Sequence, residues 1–177
     1  MATRRDEEIL AFLESDDEAS LPDRLVRMRF LLDQYGREGY TLFFGGVVPA
    51  HAFEEMRLCY LHGLYISCVV VAQIVIEHLL AGLFEMANRN DLQGASFKQL
   101  VEEALADGFI SQGEFDELDH LRQLRNPYTH SKPIMHETCF IRRAAESGSH
   151  PRQLFKEDAQ KAIVAVFRLM SRPPFSL

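Results

Sequence analysis

The chain has 177 residues, 47% of them hydrophobic and 25% charged, with a formal net charge of −7. That length suits one domain, residues 1–177, able to bury a core without disulfide staples. The three cysteines, Cys59, Cys68 and Cys139, lack framework spacing and fit free thiols in a reducing compartment. The acidic start Met1-Ala2-Thr3-Arg4-Arg5-Asp6-Glu7-Glu8 does not read as a signal peptide, so a cytoplasmic location is expected.

Helical patterning dominates from the N-terminus onward. Ile9, Leu10, Phe12 and Leu13 form a short apolar stripe that the acidic run Asp16-Asp17-Glu18 breaks. Leu21-Pro22-Asp23 predicts a second helix start, because proline suits a first turn. Leu25, Met28, Leu31 and Leu32 follow at helical spacing, and Gly36 and Gly39 close that segment. Residues 40–50 are aromatic and β-branched, but Gly45, Gly46 and Pro49 favour a packed connection over a sheet. These first 49 residues read as accessory helices and a connection, with a helical bundle over 50–177.

The longest helix is expected from His51 to about Asn88, apolar nearly all round beyond Leu64, as for a helix surrounded by others. Leu64 to Phe84 is long enough to span a bilayer, yet Gln73, Glu77 and His78 lie near its middle. A charge there costs about 2.5–3.5 kcal/mol on insertion scales, so a buried central helix is expected rather than a membrane span. Ser96-Phe97-Lys98-Gln99 and Ser111-Gln112-Gly113-Glu114 both fit capping boxes, with Asp107-Gly108 as a stop between them. Phe115, Leu118, Leu121 and Leu124 form the buried stripe of the second capped helix. A loop-rich stretch follows, residues 136–146 fit a short helix, and a last helix runs from about Arg152 to Met170. The expectation is an all-α bundle of four main helices with additional N-terminal helices.

Charge is unevenly spread. Residues 1–121 hold 9 Lys+Arg against 22 Asp+Glu, a net of −13, whereas residues 122–177 hold 10 against 4, a net of +6. Such asymmetry predicts a local basic surface on an acidic protein, or simply a solvated last helix.

The capped helix closes on Arg125-Asn126-Pro127-Tyr128-Thr129-His130. With the long apolar helix before it and a final helix after it, this Arg-x4-His pattern resembles the hallmark of the HEPN superfamily, small helical-bundle proteins. The likeness covers roughly residues 50–170. It implies a metal-independent endoribonuclease without a cofactor. In that family the motif lines a cleft between two protomers, and many members are toxins or defence effectors held by an antitoxin. RNA, a second copy of the chain and a regulatory protein are the partners so implied, with no membrane. Many such toxins carry a modifiable tyrosine two residues after the histidine. Lys132 stands there in this chain, so control by adenylylation is not expected.

The residue types suit that chemistry. Attack by a ribose 2′-OH needs a base, an acid for the leaving oxygen and donors for the phosphorane charge. His130 can serve as acid or base, its ordinary pKa being about 6.5. Arg125 offers a planar fork matched to two phosphate oxygens. A second His130 from a partner would fill the other proton-transfer role. Asn126, Tyr128 and Glu77 are the supporting candidates; Glu77 needs a partner in its apolar helix, and Arg125 or another arginine would serve. Pro127 predicts that the helix ends or kinks there, turning His130 toward Arg125. The same residues also fit an ordinary helix end favoured by the dipole, and the alternative function is a non-catalytic HEPN-like module binding a protein or nucleotide. His120, His130, His136 and Cys139 match no standard zinc spacing, so no metal is expected.

Overall fold

The computed structural model describes residues 3–34, 46–130, 133, 136 and 139–171. Among these residues the chain is a helical bundle without strands. Its elements are α1 (Arg4–Gln34), α2 (Val47–Leu61), α3 (Tyr65–Met86), a 3-10 turn (Asn90–Leu92), α4 (Phe97–Ala106), α5 (Gln112–Thr129), α6 (Phe140–Ser147) and α7 (Pro151–Met170). Gly36, Gly39, Lys132 and most of the 40–50 connection lie outside the described residues.

Two expected boundaries fall differently. The N-terminal segment is one helix, α1, with Pro22 inside it rather than at a new start. Arg24 bridges the acidic run: its Nη2 donates to the Asp17 carbonyl at 2.9 Å and also pairs with the Asp17 carboxylate. Conversely, the long helix expected from His51 to Asn88 is two helices, broken at Gly63. Gly63 has φ +74°, a conformation without penalty only for glycine. Its N–H donates to the Tyr60 carbonyl at 3.0 Å and that of Leu64 to Cys59 at 2.8 Å, the double closure of a Schellman motif. Gly108 closes α4 the same way, through Phe109 N–H to Ala104 at 2.8 Å, at the stop expected from the sequence.

α3 is the axis of the bundle. It packs against α2, α7, α5 and α4, and Val69, Val75, Ile76, Leu79 and Leu80 on it are fully enclosed. Each such side chain contributes about 1.5–3 kcal/mol of burial, which explains why this helix is apolar on nearly every side. By length and composition alone it would also pass for a membrane span, but more than half of the apolar window is buried inside the bundle. Tyr60 of α2 ties the layers together. Its ring meets Phe30 of α1 at 5.2 Å and Tyr65 of α3 at 5.8 Å, and its hydroxyl accepts from Gln160 of α7 at 2.9 Å. Among the described residues α1 is buried only in its later turns, at Arg27 and Leu31, while Ile9, Leu10, Phe12 and Leu13 stay exposed.

Candidate functional site

α5 is built to present its C-terminal end. Ser111 and Glu114 close the full capping box, the serine N–H donating to the carboxylate at 2.7 Å. Leu118, Leu121 and Leu124 then seat the helix against the core. Pro127 does not stop it: α5 runs on to Thr129, two residues past the expected end. The proline ring removes the N–H that would reach the Gln123 carbonyl, so the last turn of α5 is held without that bond. The Thr129 hydroxyl lies 3.4 Å from the carbonyls of both Arg125 and Asn126 and shares its one proton between them. His130 is the residue that leaves the helix. Its N–H still bonds the Asn126 carbonyl at 2.9 Å, while its own backbone is extended (φ −134°, ψ 129°).

The motif residues have different surroundings. Arg125 is half-buried, and its Nε is buried without an acceptor. Among the described residues its side chain makes no hydrogen bond or ion pair. An unsatisfied buried donor costs about 1–3 kcal/mol, so this guanidinium is held at a cost. His130 is exposed, and Asn126 half-buried. Glu77 is half-buried on α3, and the pair with Arg125 is not formed: neither side chain has an ion pair among the described residues. Gln73, one turn before Glu77, is buried with its Oε1 lacking a donor.

Tyr128 is engaged elsewhere. Its hydroxyl donates to the carboxylate of Asp158, which is fully buried in α7. Arg143 of α6 grips the same carboxylate with two parallel bonds, Nη1 to Oδ2 at 2.8 Å and Nη2 to Oδ1 at 2.7 Å. Burial, reinforced by the Asp158 charge, pushes the Tyr128 hydroxyl well above its ordinary pKa, and the Asp158 bond raises that of Arg143. Phe155 completes the joint, packing on Tyr128 at 5.7 Å and stacking on Phe140 at 4.1 Å. One buried carboxylate therefore fastens the end of α5 and the middle of α6 to α7. Sequence reasoning passed over Asp158 and Arg143. The available signal was an acid four residues after Leu154 and four before Ala162, on the apolar face of α7.

A groove of about 420 Å³ runs between α5 and α7, walled by Leu121, Leu124, His120, Gln160 and Lys161 among others. Partial burial and then the Lys161 charge lower the His120 pKa, against the opposing pull of Asp158. Among the described residues no three His, Cys, Asp or Glu side chains are grouped to hold a metal. Of the described cations after residue 121, Arg122, Arg142, Arg143 and Arg168 are tied to Asp119, Glu146, Asp158 and Glu117. Arg125, Arg152, Lys156 and Lys161 have no ion pair among the described residues. The expected basic surface is thus narrower than the charge count implies. No family model, curated protein or solved structure matches this chain.

Proposed function

We propose that the chain is a metal-independent endoribonuclease of the HEPN type, acting as a homodimer with Arg125 and His130 in a shared cleft, and that it serves as a toxin or defence effector. The observation that carries this reading is Arg125 itself. It is half-buried, its Nε lacks an acceptor, and no described acid neutralises it. A planar cation kept in that state fits an anionic ligand better than a structural role, and phosphate matches its fork. His130 begins the extended chain just past the helix and is exposed, so its imidazole is free to reach a ribose or a leaving oxygen. Tyr128 holds the end of α5 in place, which gives the two groups a fixed frame. Each protomer brings one histidine, one acting as base and its counterpart as acid; DNA lacks the 2′-OH and is not a substrate.

The test is cleavage of single-stranded RNA by the purified chain in EDTA, with a 2′,3′-cyclic phosphate as product. His130→Ala is expected to abolish cleavage and Arg125→Ala to cut it by about 10²-fold or more, the usual scale for losing one charge-stabilising donor. Cleavage that survives His130→Ala rejects the assignment. A second reading, a non-catalytic module of the same type, is favoured by the exposed Ile9, Phe12 and Leu13 on α1, which suit a protein partner. It expects wild type and His130→Ala to be equally harmless in cells, and growth arrest by wild type alone counts against it.

A further inference from the structure

A cavity of about 330 Å³ lies between the anchored end of α1 and the first turns of α7, with Arg27, Tyr65, His150, Arg152 and Lys156 in its wall. Asp23 is the one carboxylate among its described lining residues, so three cations face one acid. Arg27 is only 6% exposed. Its Nε donates to the Leu61 carbonyl at 2.7 Å and its Nη1 to the Tyr65 hydroxyl at 3.4 Å, fixing the guanidinium in the wall. Arg152 points at the same place. Its Nη2 and the Nη1 of Arg27 lie 3.4 and 3.6 Å from the point where a Cβ on Gly63 would sit. Two guanidinium groups thus converge on one glycine.

Little on the protein compensates them. Asp23 reaches Arg27 at 3.5 Å, but its side chain is 75% exposed and well hydrated. Arg152 and Lys156 make no ion pair among the described residues, and they stand one turn apart on α7, where like charges oppose helix formation. A concave, partly desolvated site with converging cations in excess of its one carboxylate is complementary to a compact, multiply charged anion. The fork geometry of the two arginines favours tetrahedral oxyanions over chloride or single carboxylates. A second cavity of about 530 Å³ shares Tyr65, His150 and Arg152 and continues to Phe155, the ring that packs on Tyr128.

We propose that Arg27, Arg152 and Lys156 bind a phosphoryl group, carried either by a nucleotide or by the backbone of a single-stranded RNA, at a site separate from Arg125 and His130. The proposal does not depend on catalysis at Arg125 and His130. The experiment titrates the full chain at low ionic strength with pyrophosphate, with ATP and with a fluorescein-labelled oligouridylate. At least one probe is expected to bind saturably, and Arg152→Ala combined with Lys156→Ala to weaken it about tenfold or more, the scale of losing one charge-assisted contact. The component of pyrophosphate and ATP binding that the double variant removes is expected to persist in Arg125→Ala. Binding of pyrophosphate and ATP identifies a nucleotide site, and binding of the oligouridylate alone identifies an RNA-backbone subsite. No saturable binding of any probe overturns the proposal, as does binding that the double variant leaves intact. Arg152 is exposed, so Arg152→Gln alone gives the same readout should the double variant unfold. RNA cleavage by wild type and His130→Ala is scored separately, so the failure of either assignment shows independently.

Discussion

Asparagine in place of Asp158 keeps the shape of the side chain and removes its charge, which isolates the joint that holds the three C-terminal helices. The carboxylate is fully buried and carries both bonds from Arg143 together with the Tyr128 hydroxyl. Breaking a buried pair by removing one partner costs about 3–5 kcal/mol, because the other charge stays behind uncompensated. The Arg143 side chain is 21% exposed and keeps some hydration, which places the expected loss at the lower end, about 3 kcal/mol. For a chain of this size that lowers the Tm by about 6–12 °C. Urea denaturation supplies the free energy, and combination with Tyr128→Phe supplies a coupling of about 0.5–3 kcal/mol. Asp119→Asn is the control, since Asp119 and Arg122 form a pair in which each side chain is more than a quarter exposed. That substitution is expected to cost about 0–1 kcal/mol. The reasoning is refuted if Asp158→Asn is no more costly than Asp119→Asn.

Two further expectations concern the α5–α7 groove and the α2–α3 corner. His120 should titrate below its ordinary value of 6.5 in a heteronuclear NMR titration, because partial burial and Lys161 disfavour its charged form. The unfolded chain then takes up this proton first as the pH falls, so the contribution of His120 to stability is complete above about 6.5 and is lost as the pH drops through the folded value. Lys161→Gln should move the titration upward, and a wild-type value at or above 6.5 contradicts the assignment. Gly63→Ala forces a Cβ onto a residue at φ +74°, with Arg152 Nη2 3.4 Å away. A loss of about 1–2 kcal/mol is expected from the left-handed backbone alone, measured by denaturation, and an unchanged midpoint argues against the Schellman closure.

What could be read from the sequence was local. The Ser111–Glu114 box and the Gly108 stop involve residues a few positions apart, and both occur as expected. The central, enclosed position of α3 followed from its apolar periphery. At Gly63 the sequence carries a sign, the change to a pattern apolar nearly all round from Leu64, but deeper burial of one continuous helix produces the same change. The join at Pro22 left no sign: a proline that fits a helix start can also stand inside a helix, as it does in α1. At the candidate site, Arg125 and His130 were legible as residue types. Arg27, Arg143 and Asp158 were not, since their meaning lies in contacts 15 to 38 residues away. Arg27 and Asp158 nonetheless each left one trace, a charge among the buried positions of its helix.

The grip of Arg143 and Tyr128 on one carboxylate also bears on the chain between them. With both ends of that stretch fixed to α7, its length is decoupled from the positions of α5 and α6. The loop-closure cost of lengthening a segment tethered at both ends is small, about 0.6 kcal/mol for each doubling. Tyr128 and Arg143 would keep their places on α7 through a change of length between them. The frame holding Arg125 is thus set by Asp158 rather than by the length of the chain that follows His130.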